Sequence, residues 1–341
     1  MAENGFLQAA WFLLIGVLLV GYAILDGFDL GVGMQHLTTA RTDDERRILM
    51  NSIGPVWDGN EVWLITAGGA LFAAFQKVYA TVFSGFYLAL MLVLAALILR
   101  AVSLEFRSKE RGRAWRTTWD IAFCIGSLLP AVLFGGAIGN LMRGIPLDGQ
   151  GDYAGTFTGL LSPFALAVGL LSAAMFLTQG SAWLLMKTEG EVRDRARRTA
   201  NIGMGATLVL WVVVTAWSRA EAPALWDGFG FIPAWLAPLA VVVALLAFPV
   251  LVRRGRSVAA FAASSAAIAA VVATLGIGLW PNLVPARDQG VSLAVSTTAS
   301  SDLTLTVMLI ITVVGFPFVL AYTAWVYRTF RGPVRLDEHS Y

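Results

Sequence analysis

Nine stretches of about twenty mainly apolar residues follow one another along this 341-residue chain, and segments of that length and character are read as helices crossing a bilayer. They lie at roughly 9–34, 50–74, 78–100, 117–142, 158–186, 200–218, 231–252, 257–280 and 302–328. Hydrocarbon offers backbone N–H and C=O groups no partner, so each stretch is expected to close its own hydrogen bonds as an α-helix. The expected fold is therefore an all-α integral membrane protein, a single transmembrane domain over 1–341 with no soluble domain in any connection. With 57% hydrophobic and only 13% charged residues, a soluble fold is excluded.

Lys and Arg placement gives the expected orientation. With the N-terminus outside and the C-terminus cytoplasmic, the segments around 41–47, 100–116, 187–198, 253–256 and 328–335 face inward and hold twenty of the 24 basic residues. Lys77, Arg143, Arg219 and Arg287 remain outside. The first span is expected to be retained rather than cleaved as a signal, because its leader carries Glu3 and no basic residue and its apolar run is long.

Four carboxylates interrupt these spans: Asp26 and Asp29 in GYAILDGFDLGVG, and Asp58 and Glu61 in SIGPVWDGNEVWLITAGG. Ionisable groups at membrane depth are costly and usually mark ion paths or proton relays. At 1.5 Å per residue, Asp26 and Asp29 lie roughly 7–12 Å from the inner surface and Asp58 and Glu61 roughly 12–17 Å, so the pairs can converge in one hairpin. Each spacing of three puts both acids on one helix face. Carboxylates gathered in low dielectric cannot all ionise cheaply, so at least one is expected to hold a proton near neutrality. Asn60 can bond on both sides of such a group, and Trp57 and Trp63 offer indole N–H donors. The alternative is structural: the acids cap helix ends broken around Gly54 and Pro55, or pair with a partner's Arg.

Other residues carry less chemistry. Asp120 is expected at the interface or at its helix N-terminus, and Arg100 to snorkel to the inner surface. GVG at 31–33, AGGA at 67–70 and FGGAIG at 134–139 read as small-residue helix contacts, and Thr178 and Gln179 as bridges between helices. The lone Cys124 excludes a disulfide framework and a thiolate metal site. His36 and His339 are the only histidines, neither at midspan, so no metal site is expected in this chain, and if it belongs to a redox enzyme a partner must carry most of the cofactor ligands. A net charge of +2 gives no reason to expect nucleic-acid binding.

GYAILDGFDLGVGM at 21–34, ERRILMNSIGPVWDGNEVWLITAGGALFAAF at 45–75 and VYATVFSGFYLAL at 78–90 resemble subunit II of the cytochrome bd quinol oxidases. The likeness continues through RSKERGRAWRTTWD at 107–120, GNLMRGIP at 139–146, TQG at 178–180 and AYTAWVY at 321–327. It implies a nine-helix subunit of a bacterial cytoplasmic membrane complex, paired with a subunit I that carries two b-type haems and one haem d. Such a complex oxidises quinol at the outer side and reduces oxygen to water with cytoplasmic protons. This chain would stabilise subunit I without being catalytic alone. Acids matching Asp29 and Asp58 are implicated in the family's proton path, and Asp26 and Glu61 join them as candidates here. The resemblance also leaves room for a quinone bound in this subunit and for small accessory subunits. The loop at about 219–230 is short beside some family members. A proton-coupled transporter and a purely structural subunit are the competing readings; an odd number of spans without an internal repeat argues against the first.

Overall fold

A computed structural model describes residues 5–287 and 290–336, so Glu3 and His339 lie outside the described residues. The helices in chain order are α1 (Gly5–Met34), a short α2 (His36–Thr39), α3 (Asp43–Ile53), α4 (Trp57–Ala74), α5 (Gln76–Gly85), α6 (Tyr87–Phe106) and α7 (Arg113–Arg143). They continue with α8 (Pro163–Lys187), α9 (Gly190–Glu221), α10 (Leu236–Arg253), α11 (Ser257–Leu279), a short α12 (Val295–Thr298) and α13 (Asp302–Thr329). Two short antiparallel strands, β1 (Asn282–Val284) and β2 (Leu293–Ala294), tie down the connection after α11.

Among the described residues eight helices are long and apolar enough to cross a membrane. The expected second span is the exception, because Asp58, Asn60 and Glu61 lower the hydropathy of α4. It is also two helices rather than one. Thr42 and Glu45 form a reciprocal cap that starts α3 as a polar surface helix. Pro55 then supplies no N–H, and the chain turns through Gly54–Val56 before α4 begins. The expected third span is likewise divided at Phe86, and its longer piece, α6, runs on to Phe106, nearly two turns past Arg100.

α1 sits centrally, touching α4, α7, α8 and α11. In α8, 72% of the central apolar window is buried against 6% in α13, so α8 is core and α13 lies on the outside of the bundle. The approach of α1 to α8 is backbone to backbone. A Cβ on Gly31 would stand 1.9 Å from the Phe176 carbonyl oxygen, and one on Gly180 2.4 Å from the Gly31 carbonyl carbon. FGGAIG similarly admits α8 against α7, with a Gly135 Cβ 2.5 Å from Ser172. AGGA differs: Gly68 and Gly69 face open space. Gln179 bridges α8 to Ser265 of α11 at 2.8 Å, and Thr178 meets Thr207 of α9 at 3.4 Å.

The basic segments collect at one end. Arg107 and Arg116 both reach Asp43, Arg195 reaches Glu45 and the Thr39 carbonyl, Arg193 reaches Ser257, and Lys187 reaches the Phe330 carbonyl. At the opposite end Arg143 pairs with Glu221 and Lys77 with Asp152. Three-dimensional contacts thus sort the charges into the same two groups as their positions along the chain.

Candidate functional site

Three of the four acids gather in one buried site, and two of them bond the same guanidinium. Arg100 is fully buried, and its Nη2 donates to Asp26 Oδ1 at 2.7 Å and to Glu61 Oε1. Instead of snorkelling, it points into the bundle, because α6 continues beyond it and α7 covers it: a Cβ on Gly126 would lie 2.9 Å from the Arg100 backbone nitrogen. Asp29, one turn along α1, is tied in through Asn60, whose Nδ2 donates to Asp29 Oδ2 at 2.7 Å. Asn60 Oδ1 in turn accepts from the Tyr327 hydroxyl of α13 at 2.8 Å. A hydrogen-bonded line therefore runs from Tyr327 through Asn60 to Asp29.

Asp26 and Asp29 are buried and Glu61 is partly so. Among the described residues, Asp26 Oδ2, Asp29 Oδ1 and Nε and Nη1 of Arg100 are buried without a hydrogen-bond partner. The carboxylate oxygens retain capacity for water or a proton, and the guanidinium nitrogens for a further acceptor. Trp63, two residues beyond Glu61 on α4, borders the site, packed on Gly21 and edge-on to Phe316 at 5.7 Å. Trp57 is half-buried against the cluster around Phe28 and Leu49.

Asp58 does not join them. It lies in the first turn of α4 and is exposed, at the head of an outward face that continues through Val62, Ile65, Gly69 and Phe72. Glu61, one turn further on, reaches Arg100, so the two acids of α4 have different surroundings.

The sequence reading missed Arg100 and Tyr327 as members of this site. For Arg100 a signal existed: Val102, Leu104 and Phe106 extend the apolar helix past it. Nothing local marks Tyr327, whose partner is 267 residues away.

A second cluster occupies the basic end. Asp120, fully buried, accepts from His36 Nε2 at 2.7 Å, Arg107 Nε at 2.5 Å and Arg46 Nη1 at 2.6 Å, which makes it a hub rather than a helix cap. Burial pushes the His36 imidazole below the ordinary histidine range and Arg107 and Arg46 add to this, outweighing the opposite pull of Asp120. A folded value under the unfolded one of about 6.5 means the stabilisation is complete above that pH and is lost as the pH falls toward the folded value. The thermal midpoint of the purified protein is expected to drop between about pH 7.5 and 5.5, and less steeply in His36→Gln. Identical pH profiles for the two proteins would remove His36 from the account.

Among the described residues the histidine usage does not fit a haem. His36 is the one described histidine, its Nε2 is taken by Asp120, and its ring stands edge-on to Phe123 at 5.2 Å. Among the described residues no group of three His, Cys, Asp or Glu side chains is arranged to hold a metal ion.

Comparison with known proteins gives these features a family. Residues 7–330 match the family described as Cytochrome bd terminal oxidase subunit II. The chain is 40% identical over 370 aligned residues to Cytochrome bd-I ubiquinol oxidase subunit 2 of Escherichia coli (strain K12), covering 99% of this chain and 98% of that protein. It is 35% identical over 333 residues to Cytochrome bd ubiquinol oxidase subunit 2 of Bacillus subtilis (strain 168), covering 97% and 98%. Its fold is similar to a chain of the bd oxidase from Geobacillus thermodenitrificans, with a TM-score of 0.77 at 18% identity, covering 95% of this chain and 98% of that one. Eight membrane-length apolar helices and these relatives make it a multi-pass protein of the bacterial inner membrane. With the family matched along nearly its whole length, the chain belongs to the subunit II family of the cytochrome bd terminal oxidases, membrane-bound oxidoreductases that work as multi-subunit complexes.

Proposed function

We propose that this chain pairs with a haem-bearing subunit I, stabilises it, and supplies the route by which cytoplasmic protons reach the site of oxygen reduction. In this reading subunit I holds two b-type haems and one haem d, and quinol delivers electrons from the outer side. Protons consumed from the inside then separate charge without any proton crossing the whole membrane. In this reading the chain passes through the membrane nine times, with α4 making the second passage, the N-terminus outside and the basic end in the cytoplasm.

The observation that supports this most is the imbalance of the buried site: Asp26 and Glu61 share the single guanidinium of Arg100, and Asp29, bonded to Asn60 beside them, has no ion-pair partner among the described residues. In a low-dielectric interior such an arrangement retains protons rather than three full negative charges. Asp58, on the outward face of α4, is the intake and transfer group, and subunit I covers it in the complex. Glu61 lies one helical turn away on the same element, linking Asp58 to the buried reserve. Val62, Ile65 and Phe72 give that face the apolar character a membrane partner requires. Membership of the oxidase family sets the transporter reading aside.

Asp58→Asn tests the assignment. The complex is expected to assemble with its full visible haem spectrum while losing most of its quinol-driven oxygen consumption. Loss of haem or of assembly would make Asp58 a structural residue, and full activity with intact haems would deny it both roles.

A further inference from the structure

At the basic end, α8, α11 and α13 leave an open cleft of about 830 Å³ between them. Its wall includes Trp183 and Tyr327, and its rim carries Lys187, Arg193, Arg256 and Arg331, with Glu189 the one carboxylate among the described lining residues. Lys187 is already engaged, bonded to the Phe330 carbonyl and lying over the Trp183 ring at 4.8 Å. The arginines keep unused donors. Arg193 donates to Ser257 Oγ at 3.1 Å, but its Nε is buried with no partner, and Arg256 and Arg331 stand exposed. Among the described residues none of the three forms an ion pair within 4.0 Å of a carboxylate.

We propose that this cleft binds one anionic phospholipid, its phosphate held by Arg193 and Arg256 with Arg331 closing over it and an acyl chain along the apolar wall. Guanidinium groups match phosphate oxygens with paired N–H donors. Basic pockets between membrane helices at the cytoplasmic surface select anionic headgroups. A general inward bias of Arg accounts for the charges but not for their convergence on a concave apolar cleft between three helices, nor for a buried Nε left unbonded. The lipid also has a mechanical consequence. α13 is the least buried of the membrane-length helices among the described residues, and the segment after it is pinned to α8 through Lys187, whose carbonyl accepts from the Val334 N–H at 2.9 Å. A phosphate shared by Arg331 with Arg193 and Arg256 adds a second fastening, and so holds Tyr327 of α13 on Asn60.

The test uses the whole complex, delipidated in neutral detergent and returned to phosphatidylglycerol, to phosphatidylcholine or to inorganic phosphate. Native mass spectrometry counts retained lipid and thermal unfolding reads its effect. Phosphatidylglycerol is expected to stay bound on the order of tenfold more than phosphatidylcholine and to raise the midpoint, while inorganic phosphate does not. Arg193→Gln with Arg256→Gln is expected to erase that preference. Equal retention of both lipids would overturn the proposal in favour of a purely apolar cleft, and equal stabilisation by inorganic phosphate in favour of a free-anion site. An undiminished preference in the double variant would also overturn it. The comparison of lipids on the unaltered complex decides the matter even where the double variant fails to accumulate.

Discussion

Arg100→Leu is expected to abolish accumulation of the folded protein. The guanidinium is fully buried and is the only described cation touching Asp26 and Glu61, so its removal leaves negative charge in the bundle interior without compensation. Breaking a buried ion pair from one side costs roughly 3–5 kcal/mol, a large share of a total stability of about 5–15 kcal/mol. Fluorescence-detected size exclusion of the tagged protein from membranes is the direct readout. Adding Asp26→Asn and Glu61→Gln to Arg100→Leu removes the stranded charges. That triple variant is expected to recover the monodisperse peak without recovering oxygen consumption, which separates the stability of the site from its use. A normal yield of the single variant would show that the acids need no counter-charge and would undo the argument from charge imbalance.

Gly31→Val is expected to be as damaging for a different reason. The added Cβ meets backbone on the facing helix, the Phe176 carbonyl oxygen at 1.9 Å and the Gly180 nitrogen at 2.8 Å, so no side chain can rotate out of its way. α1 and α8 must separate. Overpacking against side chains costs typically about 1–3 kcal/mol, and two opposed backbones put this case at or above the top of that range. Since α1 carries Asp26 and Asp29, the separation is also expected to disturb the acid site, and loss of the assembled complex on native gels is the measurement. Gly16→Ala, at a position with nothing within 4 Å of the added carbon, is the control expected to behave as the parent protein. Comparable losses in both variants would point to glycine flexibility rather than close packing.

Much of this protein was legible from its one-dimensional pattern. Hydropathy over about twenty residues is a local property, so the membrane class and the helical fold followed directly from it. The charge distribution was equally local, and the segments it grouped meet in space, as the pairing of Arg107 and Arg116 with Asp43 illustrates. Depth was legible too: a fixed rise per residue allowed Asp26 and Glu61 to be matched across a hairpin, and one guanidinium spans them.

What pattern and spacing left open was rotation about each helix axis and the pairing of distant segments. Asp58 and Glu61 are one turn apart and point about 60° away from each other around α4. That angle, at the edge of a helix, places one acid outside and the other against Arg100. The sequence alone marked both as members of one face. Arg100 looked like a surface group because the end of its helix is blurred in hydropathy, whereas packing of α7 at Gly126 fixes it inside. Tyr327 has no local signature at all, since its role arises only when α13 is laid beside α4. The chain's own residues therefore determined a membrane-embedded helical subunit with acids at depth. Tertiary packing decided which acids share a counter-charge, because contact between helices depends on azimuth and neighbour identity, and neither is written in the spacing of residues along one helix.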